Sequence, residues 1–407
     1  MKFSDYDISP LIKVQLEEMG YKKPTDIQFK AIRHILDGED VMAVAQTGTG
    51  KTAAFAIPVI DRLEKNKRRN YKGVRCLVMV PTRELAKQIS GVFNEIGKRT
   101  SVKSFGLYGG VEQEQQIRML KSGLDVMVTT PGRMFDLISQ GHVDISGLEF
   151  LVLDEADLML DLGFMKDIQD VLKHLSRKRQ TLFFTATINK KIKSLAYDVV
   201  KDAIRIQISP KNPVARNVEH AIAFVEMDDK RFFLENILKE YEEKKFIVFI
   251  RTKVRVERVV AAMERVGIKT EALHGGIDQK ERFAVLDRFR SGDNRVLITT
   301  DVAARGIDIP TMDYVINYDL PDDPENYVHR CGRTGRGMNK GQALSFCSDG
   351  ERDLVTAIQE YTGEEIEHYE IDREDYDAIL NDSDDPNYDW KKLIDKANKE
   401  DGTEDVW

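Results

Sequence analysis

Two short segments carry the residue types for phosphate chemistry. The first, Ala45-Gln46-Thr47-Gly48-Thr49-Gly50-Lys51-Thr52, mixes glycines with a lysine and hydroxyl side chains. Glycines let backbone N–H groups approach an anion at a helix N-terminus, and such a lysine reaches the β- and γ-phosphates. The Thr52 hydroxyl is then placed to ligate Mg²⁺. Ala45 stands where the general phosphate-loop pattern has its first glycine. The second segment, Phe150-Leu-Val-Leu-Asp154-Glu155, ends an apolar run with two carboxylates. Asp154 suits a Mg²⁺ site, and Glu155 suits positioning or deprotonating an attacking water. Together they point to Mg²⁺-dependent hydrolysis of a nucleoside triphosphate.

These segments need strands to deliver them. Apolar runs at Val41–Ala45, Cys76–Val80, Asp125–Thr129, Phe150–Leu153 and Thr181–Thr185 alternate with amphipathic stretches such as Thr52–Leu63, Arg83–Gly97 and Lys166–His174. The runs lack a period of two, as strands covered on both faces should. The alternation stops at Ser209-Pro-Lys-Asn-Pro213. It restarts with strands expected at His220–Val225, Phe246–Ile250, Val296–Thr300, Tyr314–Asn317 and Ala343–Phe346, and helices at Val254–Val266 and Lys280–Phe289. The expected fold is α/β: two tandem domains, each a mostly parallel sheet flanked by helices. Their expected spans are 1–208 and 218–368, joined by a linker at 209–217. From Glu370 onward fourteen acidic residues face five basic ones, so 369–407 reads as an acidic, solvated, disordered tail.

Composition narrows the class. With 407 residues, 42% hydrophobic and 32% charged, the chain has the makeup of a soluble globular protein of two domains. No run of about twenty apolar residues marks a membrane span, and Met-Lys-Phe-Ser-Asp does not open a signal peptide, so a cytoplasmic protein is expected. Cys76, Cys331 and Cys347 lack zinc or redox spacing, and Cys76 and Cys347 sit in apolar runs that read as buried and reduced. The net charge of −8 is not the usual footprint of a nucleic-acid protein, but helix N-termini and a few arginines suffice to hold one strand.

At Asp154-Glu-Ala-Asp157 the chain resembles the DEAD-box ATP-dependent RNA helicases, and the motif order matches from Phe3 to about Ser348. The resemblance implies two RecA-like domains. It implies an adenine-reading segment at Gly20-Tyr21-Lys-Lys-Pro-Thr25-Asp-Ile-Gln28, with Tyr21 on the base and Gln28 pairing with the adenine N6/N7 edge. In His329-Arg330-Cys-Gly-Arg333-Thr-Gly-Arg336 it makes Arg333 and Arg336 γ-phosphate ligands, on the domain that does not carry Lys51. Asp308 is matched to the ribose and Gly306 to the phosphates. RNA contacts are implied at Pro81, Thr82 and Arg83, at Gly109 and Gly110, and at Thr130, Gly132 and Arg133. The second domain adds Arg251, Gln279, Arg282 and Thr300. Thr185-Ala186-Thr187, with His329 and Arg330, is implied to couple hydrolysis to strand separation. Departures from the family pattern are Thr185 for serine, Gly276 for aspartate and Cys331 for an aliphatic residue.

No aromatic ladder interleaves the basic residues, so phosphate and 2′-hydroxyl contacts without sequence preference are expected. The leading expectation is a monomeric, non-processive, ATP-dependent RNA helicase, with unidentified protein partners supplying its targeting. The other readings are an ATP-gated RNA clamp and, against the adenine segment, a DNA translocase.

Overall fold

The computed structural model describes residues 1–46, 48–67, 73–175, 178–200, 202–208, 218–305, 307, 312–335 and 340–383. They form two compact units, one running through Ile208 and the other from Val218 onward, apart from Ile307. The linker expected at 209–217 lies outside the described residues, as do 384–407.

The first unit is built on seven strands: β1 (Val41–Ala45), β2 (Cys76–Met79), β3 (Ser104–Leu107), β4 (Val126–Thr129), β5 (Phe150–Leu153), β6 (Gln180–Thr185) and β7 (Ile204–Ile208). They pair in the order β3-β4-β2-β5-β6-β1-β7, every pairing parallel. The inner strands are fully buried, which explains their unbroken apolar runs. Alternation survives underneath. Val41, Ala43, Cys76 and Val78 face one core, whereas Met42, Val44, Leu77 and Met79 face another on the opposite side of the sheet. Helices cover both faces. Each fully buried phenylalanine, such as Phe55 on one side and Phe183 on the other, contributes about 2–3 kcal/mol of burial.

The second unit repeats the plan with β8 (Val218–Phe224), β9 (Phe246–Phe249), β10 (Glu271–Leu273), β11 (Val296–Thr299), β12 (Tyr314–Asn317), β13 (Gly341–Cys347) and β14 (Glu367–Tyr369). Their order is β10-β11-β9-β12-β13-β8-β14, again all parallel. Two of its helices, Lys253–Arg265 and Gln279–Ser291, start on side-chain caps. Thr252 Oγ1 accepts from Arg255 N at 3.3 Å, and Asp278 Oδ1 accepts from Lys280 N at 2.8 Å. Parallel strands put all their carboxyl ends on one edge of a sheet, so the loops that follow them share one rim in each unit.

The acidic stretch begins differently from its composition. Arg373–Asn381 is a helix, capped by Asp372, whose Oδ1 accepts from Asp375 N at 2.8 Å. Tyr376 sits 4.8 Å from the Phe233 ring, and its hydroxyl donates to Asp229 Oδ2 at 2.9 Å. Ile379 and Leu380 pack on the same core. Their helical spacing outweighs the surrounding charge.

Candidate active site

The phosphate loop leaves β1 and becomes the helix Lys51–Lys65. Gly48 (φ 80°) and Gly50 (φ 91°) make the turn, in the left-handed region where a side chain is strained. Gly50 has a second constraint, because a Cβ there would stand 2.5 Å from Gln28 Nε2. That amide donates to Gly50 O at 3.2 Å, while Gln28 Oε1 accepts from Thr25 N at 3.0 Å. The expected adenine-reading segment is thereby fastened to the expected phosphate loop. Tyr21 completes it from the side, its ring 5.9 Å from that of buried Phe3. Within the loop Thr49 Oγ1 donates to Gln46 O at 2.8 Å. Thr47 lies outside the described residues.

Lys51 is 6% exposed, and its Nζ is buried with no hydrogen-bond partner among the described residues. Asp154, at the end of β5, is 3% exposed. Burial pushes its carboxyl above the usual carboxylate range, and the Lys51 charge pulls it part of the way back. A buried ammonium without a hydrogen-bond partner and a desolvated carboxylate are each costly. A phosphate group and a cation would satisfy both. Glu155 follows with φ 51° and ψ 51°, one of two described non-glycine residues at positive φ. Its N–H donates to Asp154 Oδ1 at 3.0 Å.

The next turn holds a residue that the sequence left without a role. Asp157 Oδ2 accepts from Ala186 N and Thr187 N, both at 3.0 Å, and from Thr187 Oγ1 at 3.3 Å. Thr185 Oγ1 donates to Thr187 O at 2.9 Å. The Thr185–Thr187 loop after β6 is thus locked to the helix that follows Glu155. Threonine in place of serine keeps the hydroxyl that makes this bond.

The expected RNA residues of this unit follow β2, β3 and β4 on the same rim. Thr82 Oγ1 accepts from Leu85 N at 3.3 Å, so Arg83 opens the helix Arg83–Ile96. The Arg83 guanidinium lies over Gly109, 3.5 Å from where a Cβ would stand. Pro131 and Gly132 begin the helix Pro131–Ser139 with Thr130 as its cap residue, and Arg133 Nε and Nη1 are buried without partners among the described residues. Pro81, Gly109 and Gly110 supply turns, Gly110 at φ 75°.

In the second unit the expected residues again follow strand ends. Arg251 comes after β9, Gln279 and Arg282 after β10, and Thr300 after β11. Arg282 Nη1 donates to His274 O at 3.2 Å. Gly276 N donates to His274 Nδ1 at 3.1 Å, in the loop where the family pattern has aspartate. Arg330 is 1% exposed: Nε and Nη2 donate to the two Asp301 carboxylate oxygens at 2.6 Å, and Nη1 donates to Asp319 O at 2.7 Å. Arg333 is 6% exposed and follows in the same turn as His329 and Arg330. Cys331 is fully buried, its thiol pushed up to about 12 by burial. Gly306, Asp308 and Arg336 lie outside the described residues. The sequence reading missed Asp301 and Asp319, whose bonds to Arg330 span 29 and 11 positions. No local pattern announces such pairs.

Residues 25–195 match the DEAD/DEAH box helicase model, and residues 229–338 match the helicase conserved C-terminal domain. The ATP-dependent RNA helicase DbpA of Bacillus subtilis is 38% identical over 370 residues, covering 90% of this chain and 76% of that one. The chain belongs to the DEAD-box family of ATP-dependent RNA helicases. The ATP-dependent RNA helicase RhlB of Shewanella piezotolerans is 38% identical over 386 residues, or 94% of this chain and 88% of its own. Dbp5 of S. cerevisiae, solved bound to RNA and ADP BeF3, superposes with a TM-score of 0.82 at 31% identity, over 93% of this chain and 97% of that one. As a DEAD-box helicase, this protein couples ATP turnover to local remodelling of RNA. Among the described residues no helix is long and apolar enough to cross a membrane.

Proposed function

We propose that the loop 45–52 grips the ATP phosphates through Lys51, that Thr52 and Asp154 hold Mg²⁺, and that Glu155 orients the attacking water. Lys51 Nζ carries this reading: it is buried, charged and without a partner among the described residues. Among those residues no group of three or more His, Cys, Asp and Glu forms a metal cage. That suits Mg²⁺, which takes one or two protein ligands and completes its shell with phosphate oxygens and water. The left-handed backbone at Glu155 supports a functional post, because such strain persists where the surroundings impose it. Tyr21, Thr25 and Gln28 take the adenine, with Gly306 and Asp308 on the phosphates and ribose. Arg333 and Arg336 stabilise charge on the γ-phosphate, a role worth about 10³–10⁵ in turnover.

RNA is held without sequence preference by phosphate contacts from Pro81, Thr82, Arg83, Gly109, Gly110, Thr130, Gly132 and Arg133, and from Arg251, Gln279, Arg282 and Thr300. The orphaned nitrogens of Arg133 support this, as does the stacking of Arg83 on Gly109. The protein works as a cytoplasmic monomer, and protein partners supply its targeting. Strand displacement on a short RNA duplex, run beside RNA-stimulated ATP hydrolysis, is the test. Both activities are expected, with Glu155→Gln lowering turnover by about 10²–10⁴ while ATP-dependent RNA binding remains. Undiminished turnover in Glu155→Gln would remove it from the site. ATP-dependent retention of RNA with no displacement identifies a clamp instead.

A further inference from the structure

A polar network fills the rim of the second unit behind Arg251. Lys230 is fully buried; its Nζ donates to Glu351 Oε2 at 2.5 Å and to Tyr318 O at 2.9 Å. The same Glu351 oxygen accepts from Ser348 N at 3.1 Å and from Ser348 Oγ at 2.9 Å. Its other oxygen accepts from Leu320 N and from Arg251 Nη2, both at 3.3 Å. Asp319 meets Arg251 from the backbone side, Oδ2 accepting from Arg251 N at 3.0 Å. Asp319 also takes both ends of the Arg255 guanidinium, at 2.8 and 3.1 Å. Through its carbonyl it takes Arg330, which holds Asp301 next to Thr300. Burial raises the Glu351 carboxyl, but Lys230 and Ser348 outweigh it and hold it below its ordinary value.

Stability alone is a poor explanation for these charges. A buried ion pair costs desolvation on both sides, and apolar side chains of similar volume serve a core as well or better. What the charges do supply is direction. Asp319 fixes Arg251 by its backbone N–H, Glu351 and the Leu320 carbonyl take its Nη2, and Asp322 Oδ1 stands 3.5 Å from its Nε, while its side chain stays 40% exposed. One more hydrogen bond carries the frame to Arg330.

We propose that Asp319 and the Lys230–Glu351 pair are positioning residues for RNA binding, presenting Arg251 and tying it to the Thr300–Arg330 side of the rim. The proposal rests on Arg251 contacting RNA. The test is a double-mutant cycle on the full chain, reading the KM for RNA in RNA-stimulated ATP hydrolysis for wild type, Arg251→Ala, Glu351→Gln and the double variant. Glu351→Gln should raise that KM about 3- to 30-fold, within the range for directly coupled neighbours, and leave the KM for ATP unchanged. Arg251→Ala should raise it too, and the double variant should be no worse than Arg251→Ala alone. Multiplying effects would mean that Glu351 does not act through Arg251, and an unchanged Glu351→Gln would overturn the proposal directly. If Arg251→Ala itself leaves the KM for RNA unchanged, the RNA assignment of Arg251 is what fails, and the proposal falls with it. Should Glu351→Gln not fold, the paired Lys230→Met and Glu351→Met exchange removes the carboxylate without stranding a buried charge, and the same outcomes decide.

Discussion

The two units share a fold but handle buried charge in opposite ways. On its loop-bearing rim the first unit leaves cations without hydrogen-bond partners: Lys51 Nζ, after β1, and two nitrogens of Arg133, after β4, are buried without such partners among the described residues. On its corresponding rim the second unit pairs three of its cations. Arg330, Arg255 and Lys230 each end on carboxylates. An unsatisfied buried donor is costly, and a ligand that accepts from it relieves that cost. A satisfied one sets geometry and contributes little direct affinity. On the proposed assignments, the first rim is made to bind, and the second to hold its binding residues in register.

This contrast predicts different kinds of damage. The largest loss of stability is expected at Arg330. Arg330→Met leaves Asp301 and the Asp319 carbonyl without their donor, which should cost about 3 kcal/mol in urea denaturation. A change below about 0.5 kcal/mol would place Arg330 with the ligand-awaiting cations instead. A smaller and more specific effect concerns pH. The Glu351 carboxyl titrates below its ordinary value in the folded protein, so its ionisation stabilises the fold. That contribution is fully present above the unfolded value of about 4.3 and is lost as pH falls through the lower folded value. The gap in unfolding free energy between wild type and Glu351→Gln should hold near neutrality and close on acidification. A gap that widened in acid would contradict the network.

Much of this was legible in the amino-acid sequence because parallel strands buried on both faces must be apolar throughout. Val41–Ala45, Phe150–Leu153 and Tyr314–Asn317 are strands over the residues read from the sequence. Strands on or near the edges escaped. Ser104–Leu107 is short and broken by Gly106, and Ile204–Ile208 alternates with Arg205 and Gln207 because only one face is covered. The helix Arg373–Asn381 was hidden by its acidic composition, although Tyr376, Ile379 and Leu380 keep helical spacing. Within the site, the loop and the carboxylate pair were visible because their chemistry is local. Asp157, Asp301, Asp319 and Glu351 were not, since each acts on a partner that the fold supplies from elsewhere in the chain.

The comparison stands or falls at Lys51. Lys51→Met is measured twice, by urea denaturation of the nucleotide-free protein and by RNA-stimulated release of phosphate from ATP. Removing a buried cation that has no hydrogen-bond partner among the described residues, though its charge favours ionised Asp154, should leave stability within about 1 kcal/mol of wild type. Turnover should fall by at least about 10², as when one preorganised donor is taken from a developing anion. A variant that loses as much stability as Arg330→Met, or that keeps its turnover, would show that Lys51 holds the fold rather than awaiting the nucleotide.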